Sequence, residues 1–102
     1  MNTLFIDTSS NQEIKIGLAI DKKTYWMRRS IGRERAQVVL PMIDALLQKH
    51  NVALHTINSI KVHTGPGSFT GLRVGISVAN ALAWTLKIPV NGKNRVVPHS
   101  YT

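Results

Sequence analysis

The sequence predicts an α/β domain, a mixed five-stranded sheet with flanking helices. Three observations predict it. Residues 13–20 alternate, with Ile14, Ile16, Leu18 and Ile20 on one side and Glu13, Lys15, Gly17 and Ala19 on the other, which is the period of a half-covered strand. From Ala36 the apolar residues instead recur at helical spacing. Between the β-branched run 59–64 and a second helical pattern lies Gly65-Pro66-Gly67-Ser68-Phe69-Thr70-Gly71, which reads as strand, tight turn, helix.

The elements follow in order. Leu4-Phe5-Ile6 is a short buried-strand run ending in the polar turn Asp7-Thr8-Ser9-Ser10-Asn11. Residues 13–20 form the second strand, Asp21-Lys22-Lys23 a hairpin connection, and residues 23–30 a third strand carrying Tyr25 and Met27, so the chain opens as a meander. Ala36, Val39, Leu40, Ile43 and Leu47 stripe a helix to about His50. Val38, Met42, Ala45 and Leu46 add apolar surface beyond the one face a sheet covers, and Pro41 should kink this helix. Residues 51–58 connect to the fourth strand. A second helix runs from about Thr70 to Lys87, capped by Ser68 or Thr70, and Ile88-Pro89-Val90 reads as the fifth strand. Residues 1–92 thus form one domain, and 93–102 a basic, loose tail. This element order is that of one lobe of the ribonuclease-H-like and actin-like ATPase group. Fold alone does not set function.

With 102 residues and 43% hydrophobic content, the chain has room for one core and no more. No apolar stretch is long enough to span a membrane, no signal peptide opens the chain, and the absence of cysteine removes disulfides and thiolate metal sites, so a cytoplasmic location is expected. Thirteen Lys and Arg against five Asp and Glu give a net charge of +8. Lys22, Lys23, Arg28, Arg29, Arg33 and Arg35 gather near the hairpin and the first helix start, a patch suited to tRNA contact. The plainer reading is a solvated hairpin tip. Only Tyr25 and Trp26 lie among these cations, so no stacking platform for RNA is evident.

Catalytic chemistry is hard to find. Asp7 at a strand end, with Thr8, is the one carboxylate placed as catalytic ones often are, and Ser68 in the turn is the other weak candidate for a phosphate contact. The turn lacks the lysine of a Walker loop, and Thr70 stands where a dinucleotide fingerprint needs glycine. Ser68 has no nucleophile-elbow spacing, and the four histidines (His50, His55, His63, His99) include no helical i, i+4 pair, so neither a serine hydrolase nor a two-histidine metal site is indicated. A structural turn, an uncatalytic domain, no cofactor and no metal are the expectations.

Gly71, Gly75, Ala79 and Ala83 recur every fourth residue, a smooth ridge that lets another backbone approach closely. Together with Val38, Met42 and Leu46 on the first helix it predicts a partner or dimer interface, while the chain's own sheet would fill the ridge equally well.

The segments Phe5-Ile6-Asp7-Thr8-Ser9, Leu40-Pro41-Met42-Ile43 with Leu46-Leu47, Gly65 to Gly75, and Ala81-Leu82-Ala83 through Ile88-Pro89-Val90 resemble, in order and spacing, the amino-terminal lobe of the TsaB (YeaZ) family. The resemblance covers residues 1 to about 92. It implies a non-catalytic scaffold in tRNA threonylcarbamoyladenosine modification, an actin-like lobe without a working nucleotide site, pairing with a TsaD-like catalytic subunit, and a TsaE-like ATPase in the same complex; the homodimer expected of the protein alone rests on the apolar faces of the first helix and the small-residue ridge. The glycoprotease label given to some relatives finds no supporting residues. The alternatives are the nucleotide-binding half of an actin-like ATPase-type enzyme and a basic RNA-binding module. Two departures stand out. Arg35-Ala36 replaces the family's usual His before Ser or Thr, and after Val90 the stretch 93–98 replaces Gly-Val-Ser-Ser and a third helix. With the second lobe missing, a fragment or a shortened homologue is expected, and one copy cannot form a two-lobed cleft.

Overall fold

In the computed structural model, which describes residues 1–31 and 36–97, three antiparallel strands open the chain: β1 (Asn2–Asp7), β2 (Glu13–Ile20) and β3 (Lys23–Ser30). Helix α1 (Ala36–Lys49), a 3-10 turn (Leu54–Thr56), β4 (Ser59–Val62) and α2 (Phe69–Leu86) follow. β4 lies parallel to β1, so the mixed sheet has the order β3-β2-β1-β4. The meander, both helices and the fourth strand fall where the sequence patterns put them.

Strand pleat sorts the sheet into two unlike faces. Register aligns Leu4 and Ile6 with Leu18 and Ile16 of β2 and with Ile60 and Val62 of β4. All six are buried, and they form one core with α1 and α2. Tyr25 continues this face onto β3 and stacks on His50 just beyond α1, ring centroids 4.0 Å apart. The opposite face contains no Leu, Ile, Val or Met. It carries rings (Phe5, Trp26), small residues (Gly17, Ala19), hydroxyls (Thr3, Thr24, Ser30, Ser59) and charges (Asp7, Glu13, Lys15, Arg28, Lys61).

Both apolar stripes of α1 are used. Val38, Met42 and Leu46 are buried beside Val39, Ile43 and Leu47, because α1 packs against α2 as well as the sheet. Leu40 and Ala45 remain exposed. Helix α1 runs on through Pro41, which is exposed, so water can serve the Gln37 carbonyl that Pro41 cannot reach.

The expected fifth strand does not form. Val90 makes a single parallel bridge to Ile60, and Asn91 and Gly92, at φ 51° and 76°, then reverse the chain. Lys93 N–H donates to the Val90 carbonyl at 2.9 Å and Val90 N–H to the Lys93 carbonyl at 2.8 Å. This Asn-Gly reversal has the residues and φ signs of a type I′ turn. The Asn91 side chain takes the next rung, accepting from Val62 N–H at 2.8 Å and donating to the Val62 carbonyl at 2.9 Å. The segment expected to be loose from residue 93 is held through Val96, whose backbone exchanges two hydrogen bonds with the Asn80 amide, at 2.8 and 2.9 Å. Val96 itself is buried. The last five residues, 98–102, and the basic residues Arg33 and Arg35 lie outside the described residues.

Candidate functional site

The end of β1 meets the start of α2, and all three weak site candidates lie there. Asp7 is half-buried, and its Oδ1 accepts from Ser9 N–H at 3.0 Å and Ser9 Oγ–H at 2.6 Å. This closes an Asx turn, so the carboxylate is engaged by its own loop. Thr8 is 1% exposed, and its hydroxyl donates to the Gly71 carbonyl in the first turn of α2. That bond satisfies a polar group that would otherwise be costly to bury. Ser68 is the N-cap of α2, its Oγ accepting from Gly71 N–H at 3.3 Å. Its own N–H donates to the Ser9 carbonyl at 2.8 Å.

Close approach explains the glycines. A Cβ on Gly67 would stand 2.6 Å from Ser9 Cβ and 2.9 Å from the Ser9 carbonyl oxygen, and one on Gly75 would collide with Thr8 Oγ1. Gly65 has φ 138°, a conformation side chains avoid. His63 is exposed and fastens the turn. Its Nε2 lies 3.0 Å from the Pro66 carbonyl, which can only accept, so Nε2–H donates. The glycine turn therefore clamps β1 onto α2. Among the described residues no group of three His, Cys, Asp or Glu could hold a metal.

The seven predicted interface positions are brought together, but inward. Val38, Met42, Leu46, Gly71, Gly75, Ala79 and Ala83 are all buried in the chain's own core. The ridge serves intramolecular packing, because the sheet and α1 fill it. What the helix pair offers outward is a different set. One hollow of about 430 Å³ lies by Ala36, Phe69, Val74 and Val78, and another of about 290 Å³ lies by Leu40, Val78, Ala81 and Leu82. Arg73 places its guanidinium over the Phe69 ring at 5.5 Å beside the first. A third hollow, of about 740 Å³ between Trp84, Lys87 and Pro89, is at the other end of α2, away from Asp7, Thr8 and Ser68. Lys22, Lys23, Arg28 and Arg29 are exposed along the hairpin and β3. Sequence reasoning missed Ser9, which receives the glycine turn, and the outward residues Val74, Val78, Ala81 and Leu82. No spacing rule distinguishes these from helix residues that face the core.

The molecule is thus an α/β lobe compatible with the actin-like, ribonuclease-H-like architecture, its strand-end carboxylate and hydroxyls engaged by its own backbone. The family model for TsaD, tRNA N6-adenosine threonylcarbamoyltransferase, matches residues 29–102. The chain is 42% identical over 92 residues to the tRNA threonylcarbamoyladenosine biosynthesis protein TsaB of Escherichia coli strain K12, covering 90% of this chain and 39% of that protein. It is 34% identical over 89 residues to TsaB of Buchnera aphidicola from Schizaphis graminum, covering 87% and 42%. The solved structure of YeaZ from Pseudomonas aeruginosa superimposes with a TM-score of 0.83 at 36% identity, covering 87% of this chain and 41% of that one. The chain belongs to the TsaB (YeaZ) family. It spans about two fifths of the length of these curated relatives.

Proposed function

We propose that this chain is a non-catalytic scaffold lobe in tRNA threonylcarbamoyladenosine biosynthesis, and that the outward side of α1 and α2 binds a TsaD-like catalytic subunit. One observation carries the reading: the three site candidates at the end of β1 and the start of α2 are committed to the fold, while the helix pair keeps apolar hollows at its surface. Asp7 is bound by Ser9, Thr8 by Gly71, and Ser68 caps α2. Exposed Leu40 and Ala81, with the half-buried Val74, Val78 and Leu82 between them, offer an apolar docking strip. In the absence of the catalytic subunit the same strip fits a second copy of this chain, and a TsaE-like ATPase completes the assembly. The exposed cations of the hairpin and β3 suit contact with tRNA phosphates. No helix among the described residues is long and apolar enough to cross a membrane, in keeping with a cytoplasmic place of work.

Calorimetry tests this directly. Titrating a TsaD-like subunit into the chain should give saturable heat, and titrating magnesium ATP should give none. The rival reading, the nucleotide-binding half of an enzyme, requires Asp7 to leave Ser9 and face a phosphate. Tight ATP binding that disappears in Asp7→Ala would establish that rival and end the scaffold reading.

A further inference from the structure

The sheet face turned away from the helices holds one ordered row. Register sets Lys61 of β4 beside Phe5 of β1, Phe5 beside Gly17 of β2, and Gly17 beside Trp26 of β3. Gly17 is what joins the rings. Its missing side chain lets the six-membered ring of Trp26 lie across β2, since a Cβ there would sit 2.7 Å from that ring. Phe5 and Trp26 consequently approach to 5.5 Å between centroids at an interplanar angle of 38°. Trp26 still shows 54% of its surface to solvent. The Lys61 ammonium stands 6.0 Å from the Phe5 centroid at one end of the row. At the other end Arg28 follows Trp26 on the same face of β3, opposite Lys15 of β2.

The composition of this face decides what can cover it. A sheet face that receives a helix is rich in Val, Ile and Leu, and the helix-covered face here obeys that rule. The row's face has none of them. It pairs two rings with cations, and its hydroxyls bond each other, Thr3 Oγ1 lying 3.0 Å from Ser59 Oγ. Lys15 and Arg28 are like charges set directly opposite, an arrangement that costs stability unless an anion offsets it. Asp7, opposite Lys15 on β1, and Glu13, 3.8 Å from it, both lie beside Lys15, whereas Arg28, exposed on the edge strand β3, has no carboxylate opposite it. Rings for π-faces and cations for phosphates are the means by which sheet surfaces hold unpaired nucleotides. The chain's net charge of +8 gives a polyanion a favourable encounter.

We propose that the Lys61–Phe5–Gly17–Trp26 row is a binding platform for single-stranded RNA, with bases stacking on Phe5 and Trp26 and phosphates meeting Lys61 and Arg28. It deepens the scaffold reading, resting on it only for RNA as the relevant polyanion, and it uses the face opposite the proposed partner surface.

The test is fluorescence anisotropy of a labelled, unstructured RNA decamer with the full chain. Binding should weaken about tenfold or more in Trp26→Ala, recover largely in Trp26→Phe, and be weaker for the matching duplex. Lys61→Gln should flatten the salt dependence by about one phosphate contact. Circular dichroism melts matching the parent keep the comparison about binding. Absence of decamer binding, or equal affinity in Trp26→Ala, overturns the platform. So does a Trp26→Ala that leaves RNA affinity intact but abolishes a self-association or protein contact seen by light scattering. Binding of the TsaD-like subunit is read separately. Its loss with RNA binding retained overturns the scaffold reading alone, and loss of RNA binding with subunit binding retained overturns the platform alone.

Discussion

Gly75 of α2 sits against Thr8, the residue just past β1, so closely that any Cβ at position 75 would collide with the Thr8 hydroxyl oxygen. The same hydroxyl donates to the Gly71 carbonyl one turn earlier. The small-residue ridge therefore seats a strand end, and that geometry carries the first prediction. Gly75→Ala should destabilise the chain by about 1–3 kcal/mol through overpacking, and Thr8→Ala by a similar amount through the lost hydrogen bond and contacts. The double variant should lose less than the sum, because removing the hydroxyl makes room for the methyl. Urea denaturation of the four proteins measures this, and strict additivity would show that the two residues do not touch.

A second prediction separates the two roles in the glycine turn. Gly67 has no positive φ to protect, so its sensitivity comes from Ser9, 2.6 Å from where a Cβ would stand. Gly67→Ala should cost about 1–3 kcal/mol. Ser68→Ala loses only the α2 cap, about 1 kcal/mol. If the turn is architectural, both variants keep subunit binding in proportion to their folded fraction. Phosphate titration followed by amide shifts at residues 65–75 is the check, and saturable shifts there would reassign the turn as an anion site.

The third prediction concerns the helix surface. Leu40 and Ala81 are exposed on α1 and α2 and line the same hollow. Leu40→Glu with Ala81→Glu should leave the melting point within a few degrees and weaken binding of a TsaD-like subunit at least tenfold, a change of about 1.4 kcal/mol. Met42→Ala, by contrast, removes a core side chain and should cost about 2–5 kcal/mol of stability. Calorimetry paired with thermal melts distinguishes the two effects. Unchanged affinity in the double variant would move the interface elsewhere.

The fourth prediction tests the tie between Asn80 and Val96. Two hydrogen bonds at 2.8 and 2.9 Å hold the backbone at Val96 against α2. Asn80→Ala should free residues 93–97 and lower stability by about 1–2 kcal/mol. Amide exchange at Val96 should rise far more than at Leu72 in the core. Equal protection at Val96 in both proteins would mean that burial of its side chain suffices.

Alternation over residues 13–20 and periodicity over 36–47 made the sheet and helices legible, because each pattern has one satisfactory burial solution. The fifth strand was misread because Ile88-Pro89-Val90 looks like a strand by hydropathy. The reversal signal, Asn91-Gly92, stands next to it and is not read as a turn. The ridge from Gly71 to Ala83 is legible as a site of close packing, but fourfold spacing does not say what packs there, and in the fold the chain's own sheet and α1 fill it. Asp7, Thr8 and Ser68 are legible only as separate weak candidates, because their meeting and their engagement by Ser9 and Gly71 depend on contacts across the fold. The Phe5–Trp26 pair was invisible for the same reason: only strand register brings those residues into one row.

The Asn91 amide has a consequence for what the sheet can join. On the outer side of β4, Ile60 N–H donates to the Pro89 carbonyl, the Ile60 carbonyl accepts from Asn91 N–H, and both outward groups of Val62 are taken by the Asn91 side chain. That edge offers no free rung for an incoming strand. β3, at the other end of the order, is the remaining edge, and its exposed Lys23, Arg28 and Arg29 repel a like-charged neighbour. Two copies that did zip together there would each present only a closed margin outward. Edge-to-edge growth would then stop at two molecules, a ceiling that native mass spectrometry would register, and the sheet could not extend into a fibre.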